Sequence, residues 1–186
     1  PVGVARHQAP VTSGVPFARG ELRSADGVSL ARAEAPDRQI PLQTEILSRW
    51  PDGSVKWLLL DFQVTLEPNQ TSRFHLNYGS GVTRQTVPNP IVITDGYGGM
   101  TIDSRRLRLH LDRKNFRPLH AVWLDRNSDG RYDDTERITD ANSPGLVLIT
   151  PSGRRFLAHT SGMHIAREQQ GPLRACLRLH GTHRDA

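Results

Sequence analysis

Residues 42–66 decide the fold class. They read Leu42-Gln43-Thr44-Glu45-Ile46-Leu47-Ser48-Arg49-Trp50, then Pro51-Asp52-Gly53-Ser54, then Val55-Lys56-Trp57-Leu58-Leu59-Leu60-Asp61-Phe62-Gln63-Val64-Thr65-Leu66. In the first part Leu42, Thr44, Ile46 and Ser48 alternate with Gln43, Glu45, Leu47 and Arg49, the period of a strand. The middle is a turn, because proline presets φ and Gly53 admits a positive φ. Val55–Leu66 follows as a long strand, and its run Leu58-Leu59-Leu60 is expected to be buried on both faces.

The same period recurs outward from this stretch. Phe74, Leu76 and Tyr78 alternate with Arg73, His75 and Asn77; Leu107, Leu109 and Leu111 alternate with Arg106, Arg108, His110 and Asp112. Leu173, Ala175, Leu177 and Leu179 alternate with Arg174, Cys176, Arg178 and His180. Asp26-Gly27, Asp95-Gly96 and Ser152-Gly153 mark further candidate hairpins. No capped amphipathic stretch of helical period occurs. The expectation is an all-β chain of about a dozen strands, in the manner of barrels and sandwiches. Glycine, polar residues and prolines cluster from Gly79-Ser80-Gly81 to Pro88-Asn89-Pro90 and read as a linker. This places a first β domain at 1–82 and a second β-rich domain at 90–186.

Composition excludes several classes. The 186 residues suffice for one ordinary or two small domains, and 36% apolar content allows only a thin core. No apolar run approaches the ~18–20 residues of a membrane helix. A lone cysteine, Cys176, rules out a disulfide within the chain. Of 24 basic residues only Lys56 and Lys114 are lysine. The arginines are dispersed along strands, with no basic run and no aromatic ladder, so the net charge of +5 is no nucleic-acid footprint. An acidic polysaccharide would suit the bidentate guanidinium. The chain opens on Pro1 without a leader, so either a signal peptide has been removed or the parent protein is longer.

One motif carries sharp chemistry. Residues 125–136 read Asp-Arg-Asn-Ser-Asp-Gly-Arg-Tyr-Asp-Asp-Thr-Glu and match D-x-[DN]-x-[DN]-G-x₅-E in full. Calcium wants about six to eight hard oxygens. Asp125, Asn127 and Asp129 converge as such a loop winds, and Gly130 permits its sharp turn. The Arg131 carbonyl faces inward, Asp133 ligates directly or through water, and Glu136 closes the site with two oxygens. Six of the 19 acids fall between Asp125 and Asp140, so bound Ca²⁺ would relieve their repulsion and take the net charge from +5 to +7. Tyr132 stands where helix-paired loops carry an aliphatic residue. The flanks Ala121–Leu124 and Arg137–Thr139 look like strands. The motif therefore reads as a structural calcium loop between strands, the alternative being an Asx-rich turn without metal. Millimolar sites of this kind belong to extracellular modules, which places the protein outside the cell or at its surface.

Other signals are weak. His180-x-x-His183 puts two rings on opposite faces of a strand, and His159 and His164 form no better ligand pair. Gly96-Tyr97-Gly98-Gly99 lacks a following lysine and reads as a loop. Trp50, Trp57 and Trp123 are expected to be buried anchors, with sugar stacking the alternative. Asn69-Gln70-Thr71 fits a glycosylation acceptor. No G-x-S-x-G, H-E-x-x-H, P-loop or dinucleotide fingerprint occurs, so no catalytic residue is assigned.

Two segments carry a family resemblance: Gly14-Val15-Pro16-Phe17-Ala18-Arg19-Gly20-Glu21-Leu22, and Pro41-Leu42-Gln43-Thr44-Glu45 through Arg49-Trp50-Pro51-Asp52-Gly53-Ser54-Val55-Lys56-Trp57-Leu58. They resemble the N-terminal RIFT-type β-barrel domain of the exo-rhamnogalacturonan lyase-like (YetA-like) proteins. The tail Glu168–Ala175 through His180–His183 resembles the next β-rich region of the same proteins. The resemblance implies a small RIFT-like barrel followed by a β-sandwich-like unit, with a helical domain further on in family members that act as lyases. Two functions follow as expectations. One is a non-catalytic, extracellular, calcium-stabilised module that self-assembles, with an arm at Pro1–Pro10 donating a strand to the next subunit of a homo-oligomer or filament. The other is the accessory, carbohydrate-binding front part of a lyase-like enzyme.

Overall fold

The computed structural model describes residues 3–113, 119, 121–140, 142 and 144–185, with the backbone alone at 160–162. It is all-β and divides into two compact units, Pro1–Pro88 and Asn89–Ala186.

The first unit holds β1 (Arg6–Pro16), β2 (Val28–Arg32), β3 (Ala35–Ile40), β4 (Leu42–Arg49), β5 (Val55–Leu66) and β6 (Phe74–Tyr78). They form two three-stranded antiparallel sheets, ordered β1-β5-β4 and β3-β2-β6. Strand β5 is central to the first sheet because its even-numbered side chains Leu58, Leu60, Phe62 and Val64 all point into the core. Val28 and Leu30 of β2, Leu42 of β4, and Phe17 and Leu22 from the loop after β1 complete that core. The three-leucine run is not buried on both faces. Leu58 and Leu60 are inside and Leu59 is half-buried, since the strand's alternation persists through the run.

The turn at 51–54 does more than reverse the chain. Gly53 has φ +81° and donates its N–H to the Trp50 carbonyl at 2.9 Å. The fully buried Ser54 donates its hydroxyl to Asp52 Oδ1 at 2.6 Å and accepts the Gly20 N–H at 2.9 Å. Trp50 Nε1 donates to the Phe17 carbonyl at 3.0 Å, the Phe17 N–H to the Lys56 carbonyl at 3.0 Å, and the Val55 N–H to the Leu22 carbonyl at 2.7 Å. The Arg-Trp-Pro-Asp-Gly-Ser-Val-Lys-Trp run thus pins the loop 17–22 against the start of β5. Both segments that carried the resemblance meet here.

Asp26-Gly27 makes no hairpin. Strand β1 pairs with β5, and Asp26-Gly27 is a turn leading into β2, where the Gly27 carbonyl accepts the Gly79 N–H at 3.0 Å. The linker residues up to 88 bind the first unit. Gln39 Nε2 donates to the Thr83 carbonyl and Val87 is buried. From Arg6 onward the expected donor arm is strand β1, paired with β5 of the same chain from Arg6↔Leu66 to Pro16↔Trp57. Pro1 and Val2 lie outside the described residues.

The second unit holds β7 (Val92–Gly96), β8 (Gly99–Asp103), β9 (Leu107–Asp112), β10 (Ala121–Leu124), β11 (Val147–Ile149), β12 (Arg155–Gln170) and β13 (Ala175–Asp185), with one 3-10 turn at Asp134–Glu136. Its sheets are ordered β10-β9-β8-β7 and β11-β12-β13. The Asp95-Gly96 hairpin forms, but its turn sits at Tyr97-Gly98, with Gly96 facing Gly99 across the ladder. The hairpin at Ser152-Gly153 joins β11 to β12, with Gly153 at φ +82°. Among the described residues of this unit the buried apolar side chains are Met100, Leu111, Ala121 and Val122. No tryptophan is a buried anchor. Trp50 and Trp123 are half-buried under Lys56 and Arg137, and Trp57 is 42% exposed. Trp50 follows the end of β4, Trp57 lies near the start of β5 and Trp123 is in the short β10.

Candidate functional site

The acidic loop leaves the end of β10. The Asp125 N–H donates to the Arg106 carbonyl at 2.9 Å, which carries Asp125 inward until only 2% of it is exposed. Its carboxylate accepts N–H bonds from Ser128 at 2.6 Å and Gly130 at 3.1 Å, and Gly130 takes φ +75° to allow this. Asn127 Oδ1 accepts the Asp129 N–H, and Asp129 Oδ1 the Arg131 N–H, in successive Asx turns. Asp133 caps the 3-10 turn, accepting from Thr135 N–H, the Thr135 hydroxyl and Glu136 N–H, and these bonds hold its carboxyl below the usual range. Glu136, 5% exposed, reaches back to accept the Arg126 N–H at 2.9 Å. Arg137 then bridges to Trp123, so the chain returns beside the strand it left.

The motif residues thus divide. Asp125 and Glu136 are buried at the base. Asn127, Asp129 and Arg131 are exposed on the outer turns, and Asp133 caps the 3-10 turn. Among the described residues no three or more His, Cys, Asp or Glu side chains are gathered closely enough to hold a metal. Neither buried carboxylate has an ion pair among the described residues; backbone N–H groups alone satisfy them.

The loop is fastened to the β8–β9 hairpin by residues that no motif flagged. Tyr132 donates its hydroxyl to Asp103 Oδ1 at 2.9 Å, and the Arg108 guanidinium lies 4.1 Å from the Tyr132 ring centroid. Arg108 also grips Asp103 Oδ2 through Nε at 3.1 Å and Nη2 at 2.7 Å. Burial alone would raise the Asp103 carboxyl, but Arg108, the Arg105 N–H and the Tyr132 hydroxyl together hold it below the usual range. Burial and the same hydrogen bond push the Tyr132 phenol up to about 12. Arg106 completes the fastening by donating to the Ser128 hydroxyl. The sequence signal was Tyr132 itself, a polar aromatic where calcium loops between helices place an aliphatic side chain.

The first unit carries a second feature, an open cleft of about 840 Å³. Glu21, Arg23 and Asp26 line one side, and Gly79, Ser80 and Arg84 another. Arg84 is half-buried, its Nε donating to the Val28 carbonyl at 2.9 Å and its Nη2 to the Ala25 carbonyl. Burial pushes its pKa below the ordinary value, with Asp26 opposing. Glu21 accepts the Tyr78 hydroxyl and the Ala18 N–H, and Asp26 accepts the Ser24 hydroxyl. Among the described residues His159, His164, His180 and His183 join no group of three or more potential metal ligands. His164 and His180 are cross-strand partners on β12 and β13, as are Ala158 and His183.

Two comparisons bear on identity. The chain is 24% identical over 179 residues, 93% of its length, to Uncharacterized protein YetA of Bacillus subtilis (strain 168), and it spans 19% of that protein. The match runs through both units. Residues 3–77, which contain β1 to β5, the pinned loop 17–22 and all of β6 but its last residue, match the family described as the PcRGLX-like N-terminal RIFT barrel domain. The first unit of this all-β chain accordingly matches the model of a PcRGLX-like N-terminal RIFT barrel domain.

Proposed function

We propose that the chain is a non-catalytic accessory module of a longer, rhamnogalacturonan lyase-like protein that works outside the cell, and that its acidic loop holds one structural calcium ion. The observation that carries the first half is the 93% coverage of this chain by a relative of which it spans 19%, with the RIFT barrel at the front. A module of this size beside a much larger remainder is placed to support or position chemistry done elsewhere. Incubating the purified chain with rhamnogalacturonan and following the ultraviolet absorbance of unsaturated uronate tests it. No rise is expected, and a rise proportional to the concentration of this chain would overturn the non-catalytic reading.

The calcium half draws on the motif and on two carboxylates buried in one twelve-residue loop. A buried charge is ordinarily paired or bound to metal. In Asp125 and Glu136 two such groups sit at the loop's base without an ion pair among the described residues. Calcium would pair them and draw Asp129 and Asp133 inward from the outer turns. Calorimetric titration at millimolar calcium is expected to give one site, abolished in Asp125→Ala and weakened in Asp129→Asn. The second variant alters an exposed side chain and leaves the buried base intact, so its effect reports ligation rather than folding. Absence of calcium heat in the unaltered chain would remove the metal from the proposal.

A further inference from the structure

The cleft of the RIFT barrel presents donors that the protein itself does not use. Arg84 is held rigidly. Two of its three nitrogens are spent on carbonyls of the cleft wall, and Nη1 has no hydrogen-bond partner among the described residues. Among the described residues it also has no ion pair within 4.0 Å, although it is half-buried. Asp26 acts on Arg84 only from beyond that distance, so an oxyanion accepting from Nη1 would make a charge-assisted hydrogen bond that no described residue makes. Arg23 stands in the same cleft with an exposed side chain, engaged only by a long 3.4 Å contact from Nη1 to the Asp52 carbonyl. Ser80 also lines the cleft, its hydroxyl without a hydrogen-bond partner among the described residues.

The two acids of the cleft make no ion pair with Arg84, although Asp26 favours its charged form. The Asp26 carboxylate takes the Ser24 hydroxyl, and Glu21 takes Tyr78 and Ala18. The floor is narrow and fixed, because Gly27 and Gly79 meet backbone to backbone. A methyl on Gly27 would lie 2.8 Å from the Gly79 carbonyl oxygen. A half-buried guanidinium held by two carbonyls, an exposed guanidinium and a hydroxyl thus face one opening, and these donors make it a candidate anion site.

We infer that this cleft binds an oxyanion, seated on Arg84 Nη1 and closed over by Arg23. The chemistry is shared by a carboxylate borne on a sugar and by a free inorganic oxyanion, so the experiment carries both. Amide resonances of Gly27, Gly79 and Ser80 and the Nε resonance of Arg84 are followed while galacturonate, inorganic sulfate or uncharged galactose is added. Saturable shifts confined to the cleft are expected with at least one of the two anions and not with galactose. Tighter binding of galacturonate than sulfate assigns the site to a sugar acid, and the reverse to a free anion. Arg23→Ala is expected to weaken binding about tenfold while leaving the remaining spectrum unchanged, since its side chain is exposed. Thr83→Trp, at the exposed rim of the cleft, provides a second variant that blocks access without touching Arg84. No saturable shift with either anion, equal shifts with galactose, or affinity unchanged in both variants would overturn the inference. None of these outcomes depends on whether the chain belongs to a lyase-like protein.

Discussion

Gly99 follows the Tyr97-Gly98 turn at φ +155°, and a methyl built there would lie 2.2 Å from the Leu111 carbonyl oxygen and 3.1 Å from His110 Cε1. Both the backbone region and the space exclude a side chain. Gly99→Ala is therefore expected to cost about 2–4 kcal/mol in urea melting of the second unit. A loss below the error of the melt would show that β9 yields. Asp103, a few residues on, makes a pH-dependent contribution. Its carboxyl is depressed in the folded state, so the charged form favours folding. That stability is present above the unfolded carboxylate value of about 4 and is lost as pH falls through the lower folded value. Asp103→Asn should cost about 1–3 kcal/mol at neutral pH and flatten acid destabilisation below about pH 4. An unchanged acid profile would place the acid sensitivity on other carboxylates. The acidic loop was legible from spacing alone, because Asx turns are written in adjacent residues. Its attachment through Asp103 and Arg108 was not, because the Tyr132 hydroxyl bridges positions 29 apart in sequence.

Strand β5 shows why elements were more legible than their pairing. Its bounds could be read from alternation and from the turn before it, both local. Its partner β1 could not, since Thr12 reaches Asp61 across 49 residues and nothing in either segment names the other. The same gap misled the reading of Asp26-Gly27, where a good turn dipeptide precedes β2 without joining it to β1. Centrality has an energetic consequence. Leu58 is fully buried on the only strand that joins β1 to β4, so Leu58→Ala is expected to destabilise the first unit by about 2–5 kcal/mol. Thermal melting read at the half-buried Trp50, next to the β5 turn, checks it. A loss under about 1 kcal/mol would mean that the core collapses around the cavity.

At the scale of the molecule, the two units differ in what secures them. The first has ten buried residues in one apolar cluster, drawn from both of its sheets and the pinned loop. Among its described residues the second buries four apolar side chains, together with the carboxylates of Asp125 and Glu136 at the base of the acidic loop. A ligand that binds only the folded form raises stability by RT ln(1 + [L]/Kd), about 2.7 kcal/mol at a hundredfold excess over Kd. If calcium occupies the loop, that gain falls on the second unit alone, because the loop's fastenings all run to β8, β9 and β10. Scanning calorimetry of the chain should then show two transitions, identified by variants: Leu58→Ala lowers that of the RIFT barrel and Gly99→Ala that of the second unit. Millimolar calcium is expected to raise only the transition that Gly99→Ala lowers, and a chelator to reverse the rise. A calcium shift of the Leu58-dependent transition, or of neither, would separate the acidic loop from calcium and leave Asp125 and Glu136 as carboxylates buried for their backbone hydrogen bonds alone.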